Sequence, residues 1–177
     1  IFTHNFLMNY SLKRLDLRYS ALSINKKTKI IFEKKYKEFL SSFKISDYKN
    51  LITYCNRDSS YKKFQIKSKN WSYHDYRDFS ADVFIPTIKS FIKNKYLNCR
   101  VGNITDSILK INSNLFIDYS KSEYISEELD IYLLFRSKFF VGTGSGLDKI
   151  ASFLRVPMLC INSHQLSYMP HYFHKCI

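Results

Sequence analysis

Four glycines serve all 177 residues of this chain, and three of them, Gly142, Gly144 and Gly146, fall within five positions. A residue so scarce, spent in one place, marks where the backbone must turn as side chains forbid. The cluster lies between the apolar run Phe139-Phe140-Val141 and the helical pattern Leu147 to Leu154, and Pro157 opens a second apolar run. This order predicts a strand, a tight turn, a short helix and another strand. Such a turn aims backbone N–H groups and the positive end of a helix dipole at one spot, where phosphate is the expected occupant. A strand-to-helix turn can also need glycine for its backbone angles alone, and the spacing is neither Gly-x-Gly-x-x-Gly nor a P-loop. Thr143 and Ser145 favour phosphate, because interleaved hydroxyls add donors that turning does not require.

The rest of the chain repeats the strand–helix alternation. Apolar residues at helical spacing put Ile31, Phe32, Tyr36, Phe39, Leu40 and Phe43 on one face of a helix over 28–43, with lysines opposite. Leu51 to Cys55 reads as the first strand. Asn56 to Tyr76 is polar and glycine-free, a length that suits a functional loop. A helix over 82–95 turns Phe84, Ile85, Ile88, Phe91 and Ile92 inward; Pro86 fits only its first turn, which places the cap at Asp82 rather than Ser80. Strands follow at 96–102 and 115–119. Ser126 caps a further helix, apolar nearly all round and therefore buried, with Glu127 and Glu128 at its positive end. The last two strands are 139–141 and 158–161. Continuous apolar strands separated by helices imply an α/β fold: a parallel sheet of about five strands with helices on both faces.

A formal charge of +13 suggests nucleic acid, but the lysines are scattered along solvated helix faces with no basic run among stacking aromatics. The joint abundance of Lys, Ile, Asn, Tyr and Phe fits codon bias of an AT-rich genome, so no nucleic-acid partner is expected. The basic surface suits peripheral contact with an anionic membrane face. No apolar run reaches the length of a membrane span, and the opening IFTHNFLMNY lacks the features of a signal peptide. Because the chain begins with Ile1, it is read as a fragment. Cys55, Cys99, Cys160 and Cys176 show no Cys-x-x-Cys pair, and three lie in predicted strands as small apolar side chains, which points to the cytoplasm. His171, His174 and Cys176 lack a fourth ligand, and no metal is expected.

Each strand is followed by polar residues: Asn56, Arg57 and Asp58 after the first; Arg100, Gly102 and Asn103 at the second; Asp118 and Tyr119 at the third; the glycine turn; and Asn162. Ligands of open parallel sheets bind beyond the carboxyl ends of the strands. Alternation places Asn98, Arg100 and Gly102 on one side of their strand, where Arg100 either pairs with Asp118 or Asp58 or clamps a phosphate. Arg57 beside Asp58 offers a cation for a diphosphate and a carboxylate to orient a sugar hydroxyl, the chemistry of transfer from a nucleotide sugar. Asp58 is the expected catalytic group. Asp130, alone in its apolar helix, is read as serving the first-turn dipole.

The succession TYCNRDSSY, YRDFSADVFIPTIKSFI, CRVGN, FIDYS and SEELDIYLLFRSKFFVGTGSGL, then a proline and IN, resembles bacterial glycosyltransferases of surface-polysaccharide gene clusters from about Thr28 to Asn162. The resemblance implies a Rossmann-like domain similar to the carboxyl-terminal, donor-binding domain of GT-B enzymes, including fucosyltransferase-like ones, usually metal-free. It implies that Arg57, Arg77, Arg100, Gly102, Gly144, Ser145 and Gly146 bind the donor beside Asp58; the strand-end pattern adds Asn103 and Thr143 to the donor-binding set and gives Asp118, Tyr119 and Asp130 structural or orienting roles. Asn56 stands where the family is commonly aliphatic, and Asp78 where it often has asparagine. On this reading 51–177 is the nucleotide-sugar-binding domain and 1–50 a segment and helix left from an acceptor domain. The expected partners are a nucleotide-sugar donor and a glycan or lipid-linked acceptor, at the inner membrane face. A nucleotide-sugar epimerase of the same fold and a basic nucleic-acid module are the alternatives.

Overall fold

The computed structural model describes residues 23–162, apart from 47, 61–63, 65–69, 71 and 106 and the side chains of 73 and 74. Helix α1 (Lys26–Ser42) leads into β1 (Leu51–Cys55), two 3-10 turns (Ser72–Arg77 and Ala81–Phe84), α2 (Ile85–Lys93), β2 (Leu97–Arg100) and β3 (Phe116–Asp118). A 3-10 turn (Tyr119–Lys121), α3 (Glu127–Arg136), β4 (Ser137–Gly142), α4 (Gly146–Phe153) and β5 (Met158–Cys160) complete the order. All four strand pairings are parallel, in the spatial order β3-β2-β1-β4-β5. The fold is Rossmann-like α/β, and the order in which strands are added reverses between β1 and β4.

Strand alternation supplies two cores. Leu51, Cys55, Leu97, Cys99, Ile117 and Phe140 face α1, α3 and α4, whereas Ile52, Tyr54, Phe116 and Val141 face α2 and the 3-10 turn before it. Helices on opposite faces are what right-handed crossovers require when strands are added to either side of β1. Helix α1 belongs to the first core: Tyr36 and Phe39 are fully buried, and Tyr36 and Phe32 set their rings edge-on against Tyr132 of α3. Glu33 joins the two helices through the Tyr132 hydroxyl and an Arg136 ion pair of 3.2 Å. Residues 1–22, 163–177, and with them His171, His174 and Cys176, lie outside the described residues.

Several local expectations are corrected. Ile31 is 57% and Phe43 38% exposed, because α3 covers only the strip of α1 centred on Tyr36, Phe39 and Leu40. The helix expected over 82–95 is a 3-10 turn followed by α2, and Ser80 caps it by accepting from the Asp82 amide, which lets Pro86 sit in the first turn of α2. The strand expected over 96–102 ends at Arg100, two residues before Gly102 takes a φ of +132°.

Glycine scarcity shows at the helix ends. Lys44, Lys95 and Arg155 take φ values of 57°, 61° and 58° just after α1, α2 and α4, where glycine is the usual residue. Paired bonds close each end, as in Tyr96 N–H to Phe91 O and Lys95 N–H to Ile92 O, both 3.0 Å, with the Phe91 and Tyr96 rings packed together. An L side chain in this left-handed region costs about 1 kcal/mol. Lys95→Gly should therefore raise the unfolding free energy by about 0.5–1 kcal/mol in urea titration, with its Tm up by a few degrees.

Candidate functional site

Parallel strands bring the residues after β1, β2, β3 and β4 to one edge of the sheet, and the strand order reverses between β1 and β4, the place where open α/β sheets generally hold a ligand crevice. Three connections join the segments there. The Arg57 amide donates to Thr143 Oγ1 at 2.6 Å, the Arg77 guanidinium to the Gly144 carbonyl at 3.2 Å, and the Cys55 thiol to Ser145 Oγ at 3.4 Å. Arg57 and Arg77 thus reach the glycine turn from two separate segments. Their charges oppose each other: burial, then the Arg77 cation, pulls the Arg57 guanidinium below its usual value. Arg57 Nε is buried with no partner among the described residues.

The glycine turn itself differs from the open anion cradle expected of it. Asp148, in the first turn of α4, folds back so that its carboxylate accepts from the Gly144 amide at 2.9 Å, the Ser145 amide at 3.1 Å and the Ser145 hydroxyl at 2.6 Å. With the reciprocal Ser145 contact this forms a capping box. The chain's own carboxylate therefore takes amides that a phosphate would use. Its place explains Gly142, since a Cβ there would lie 2.6 Å from the Asp148 carboxyl atoms. Gly144 is needed for its φ of +80°. Gly146 is different: a Cβ would meet nothing within 4 Å. The hydroxyls expected to face a ligand are engaged internally, Thr143 being 1% exposed and Ser145 tied to Asp148.

Arg100 is fully buried and pairs with Asp118, not Asp58. Its Nη1 donates to Asp118 Oδ2 at 3.2 Å and the Ser107 carbonyl at 2.7 Å, while Nε donates to Asn56 Oδ1 at 3.0 Å. Asp118 also accepts from the Leu109 amide and Ser120 hydroxyl. This pair anchors the loop after β2 and does not face solvent, so a phosphate has no access to it. Gly102 turns that loop, and Asn103 is exposed beyond it. Tyr119 is likewise buried, its hydroxyl bonded to the Ser126 backbone.

Three carboxyl groups accompany the arginines. Asp58 accepts the Ser60 amide at 3.1 Å, a turn-forming contact. Asp78 is not among the expected site residues, and its Oδ1 is buried without a partner among the described residues. Burial pushes its carboxyl above the ordinary range against a Ser59 hydrogen bond, and neighbouring Asp75 adds to the rise. Asp130 does more than answer the α3 dipole: its Oδ1 is buried with no partner among the described residues, and burial raises its carboxyl to about 6 against a Tyr119 hydrogen bond.

Cys55 and Cys99 are buried free thiols; burial pushes Cys55 up to about 12, so it stays protonated and unreactive. Among the described residues no His, Cys, Asp and Glu side chains cluster to hold a metal ion, and no helix is long and apolar enough to cross a membrane. A concavity of about 1120 Å³ borders α1, and its described lining residues, including Lys29, Ile30 and Lys34, all belong to that one helix. Compared with protein-family models, curated proteins and solved structures, the chain gives no match.

Two predictions follow from these placements. Gly142→Ala forces the Asp148 carboxylate aside and should cost about 1–3 kcal/mol, whereas Gly146→Ala should stay within about 0.5 kcal/mol; urea unfolding of both variants checks the contrast. Asp130 holds its proton more tightly folded than unfolded, so stability falls as pH rises from its ordinary 3.8 through about 6. Asp130→Asn removes that fall. Relative to the unaltered chain, the variant should gain stability between about pH 5 and about pH 7.5 in the same unfolding assay.

Proposed function

We propose that this chain binds the diphosphate of a nucleotide sugar at the β1/β4 crevice, as the donor-binding part of a glycosyltransferase acting in surface-glycan synthesis. The observation that carries the reading is that the Arg57 backbone amide and the Arg77 guanidinium both bond the glycine turn, with Arg57 Nε buried and without a partner among the described residues. Two mutually repelling cations brought to one edge gain most from a doubly charged ligand between them. Because Asp148 takes the Gly144 and Ser145 amides, the guanidinium groups carry the diphosphate, and Gly146 leaves room for it beside α4. The leaving diphosphate gains negative charge as the sugar bond breaks, and fixed cations stabilise it. In this reading Asp58 orients a sugar hydroxyl, and a glycan or lipid-linked acceptor meets the donor from groups beyond this site.

Thermal unfolding with a panel of nucleoside diphosphates tests the proposal. A ligand at about a hundred times its Kd should add about 2.7 kcal/mol of stability, with one base favoured. Arg57→Ala and Arg77→Ala should each weaken binding by about tenfold or more, the loss expected for a charge-assisted hydrogen bond. Binding unaltered in both folded variants would overturn the reading. A new sugar isomer formed from donor without acceptor would replace transfer by epimerisation.

A further inference from the structure

The two arginines of the crevice ride on separate segments, 56–58 and 77–79, and two hydrogen bonds join those segments directly. The Phe79 amide donates to the Arg57 carbonyl at 2.9 Å, and Asn56 Nδ2 donates to the Phe79 carbonyl at 3.1 Å. Asn56 can do this in one orientation only. Arg100 Nε, a donor with no acceptor capacity, faces it at 3.0 Å, so the Asn56 oxygen must point to Arg100 and its NH2 group to Phe79. Arg100 is in turn immobilised, fully buried between Asp118 and the Ser107 carbonyl. Phe79 packs its ring against Phe84, which ties the second segment to the α2 face.

We infer that Asn56, oriented by Arg100, is a positioning residue that sets the spacing of Arg57 and Arg77, a role that rests on the diphosphate reading of the crevice. The relay runs from Asp118 at the end of β3, through Arg100 at the end of β2 and Asn56 after β1, to the segment bearing Arg77. An aliphatic residue at 56 fills space but cannot accept from Arg100 or donate to Phe79. The polar residue here makes the distance between the two cations a property of the sheet edge rather than of the loop. A diphosphate, whose phosphoryl groups are held at one separation by their bridging oxygen, is the ligand for which such spacing matters. A single phosphate would gain little from it.

The test uses the full chain, with inorganic pyrophosphate as the probe and Asn56→Ala and Asn56→Asp as variants. Asp at 56 still accepts from Arg100 Nε but cannot donate to the Phe79 carbonyl, so it serves if the alanine variant fails to fold. Hydrogen exchange at the Phe79 amide should quicken by about tenfold or more in both variants, while exchange in β4 stays slow. Pyrophosphate affinity by calorimetry should fall by about tenfold or more. Faster Phe79 exchange with unchanged affinity would reduce Asn56 to a structural residue. Weaker binding with unchanged exchange would mean that charge or another route acts, and would equally overturn the inference. If the unaltered chain binds no pyrophosphate, the diphosphate reading fails, and exchange at Phe79 alone decides whether Asn56 ties the two segments.

Discussion

A guanidinium with no solvent exposure lies at the carboxyl edge of this sheet, and the arrangement of that edge follows from pairing Arg100 with Asp118. Burying an unpaired cation is far more costly than any single packing defect, so the groups around it are constrained together. Asp118 neutralises it, the Ser107 carbonyl closes the loop after β2 over it, and Asn56 accepts from its Nε just after β1, while its Nη2 has no partner among the described residues. One side chain therefore locks the ends of three adjacent strands. Arg57 and Arg77, by contrast, are only half-buried, and Arg57 Nε has no partner among the described residues.

The glycine turn illustrates how a familiar local shape can carry an unfamiliar assignment. A strand entering a helix through glycines presents amides to an anion, and here the anion is Asp148 of the same chain. Self-capping of this kind stabilises the helix end and shifts the work of binding to side chains on neighbouring strands. Gly142 admits the carboxylate, Gly144 supplies the left-handed backbone, and Gly146 keeps the approach open. Elsewhere the chain ends its helices with Lys44, Lys95 and Arg155 in strained geometry, using long aliphatic stems where glycine is usual.

The fold was legible to a good degree because its signals are local. Apolar runs such as Leu51 to Cys55, helical spacing in α1 and α2, and the proline at 157 mark elements without knowledge of their partners. Boundaries were less so: Ser80 and Asp82 both suit a cap, and only the 3-10 turn that begins at Ala81 selects the serine. In the site, Ser145-x-x-Asp148 carried the signature of a capping box and could have revealed the occupied amides. Asn56 read merely as a departure from an aliphatic position, because its two partners, Arg100 and Phe79, are 44 and 23 residues away. Asp78 gave no signal either, since an orphaned buried oxygen exists only once neighbours are packed around it.

The sequence by itself determined the period of each element, the glycine turn and the gathering of polar residues after strands, since these depend on neighbours a few positions apart. Parallel pairing then followed from helices too regular to be hairpin loops. Only the tertiary structure decided that Arg100 turns inward to Asp118, that Thr143 and Ser145 serve the turn, and that Arg57 and Arg77 stand together at its rim. The physical reason is that an arginine's role depends on the dielectric and the partners around its guanidinium. The β3-β2-β1-β4-β5 order, not the residues beside it in the chain, supplies both.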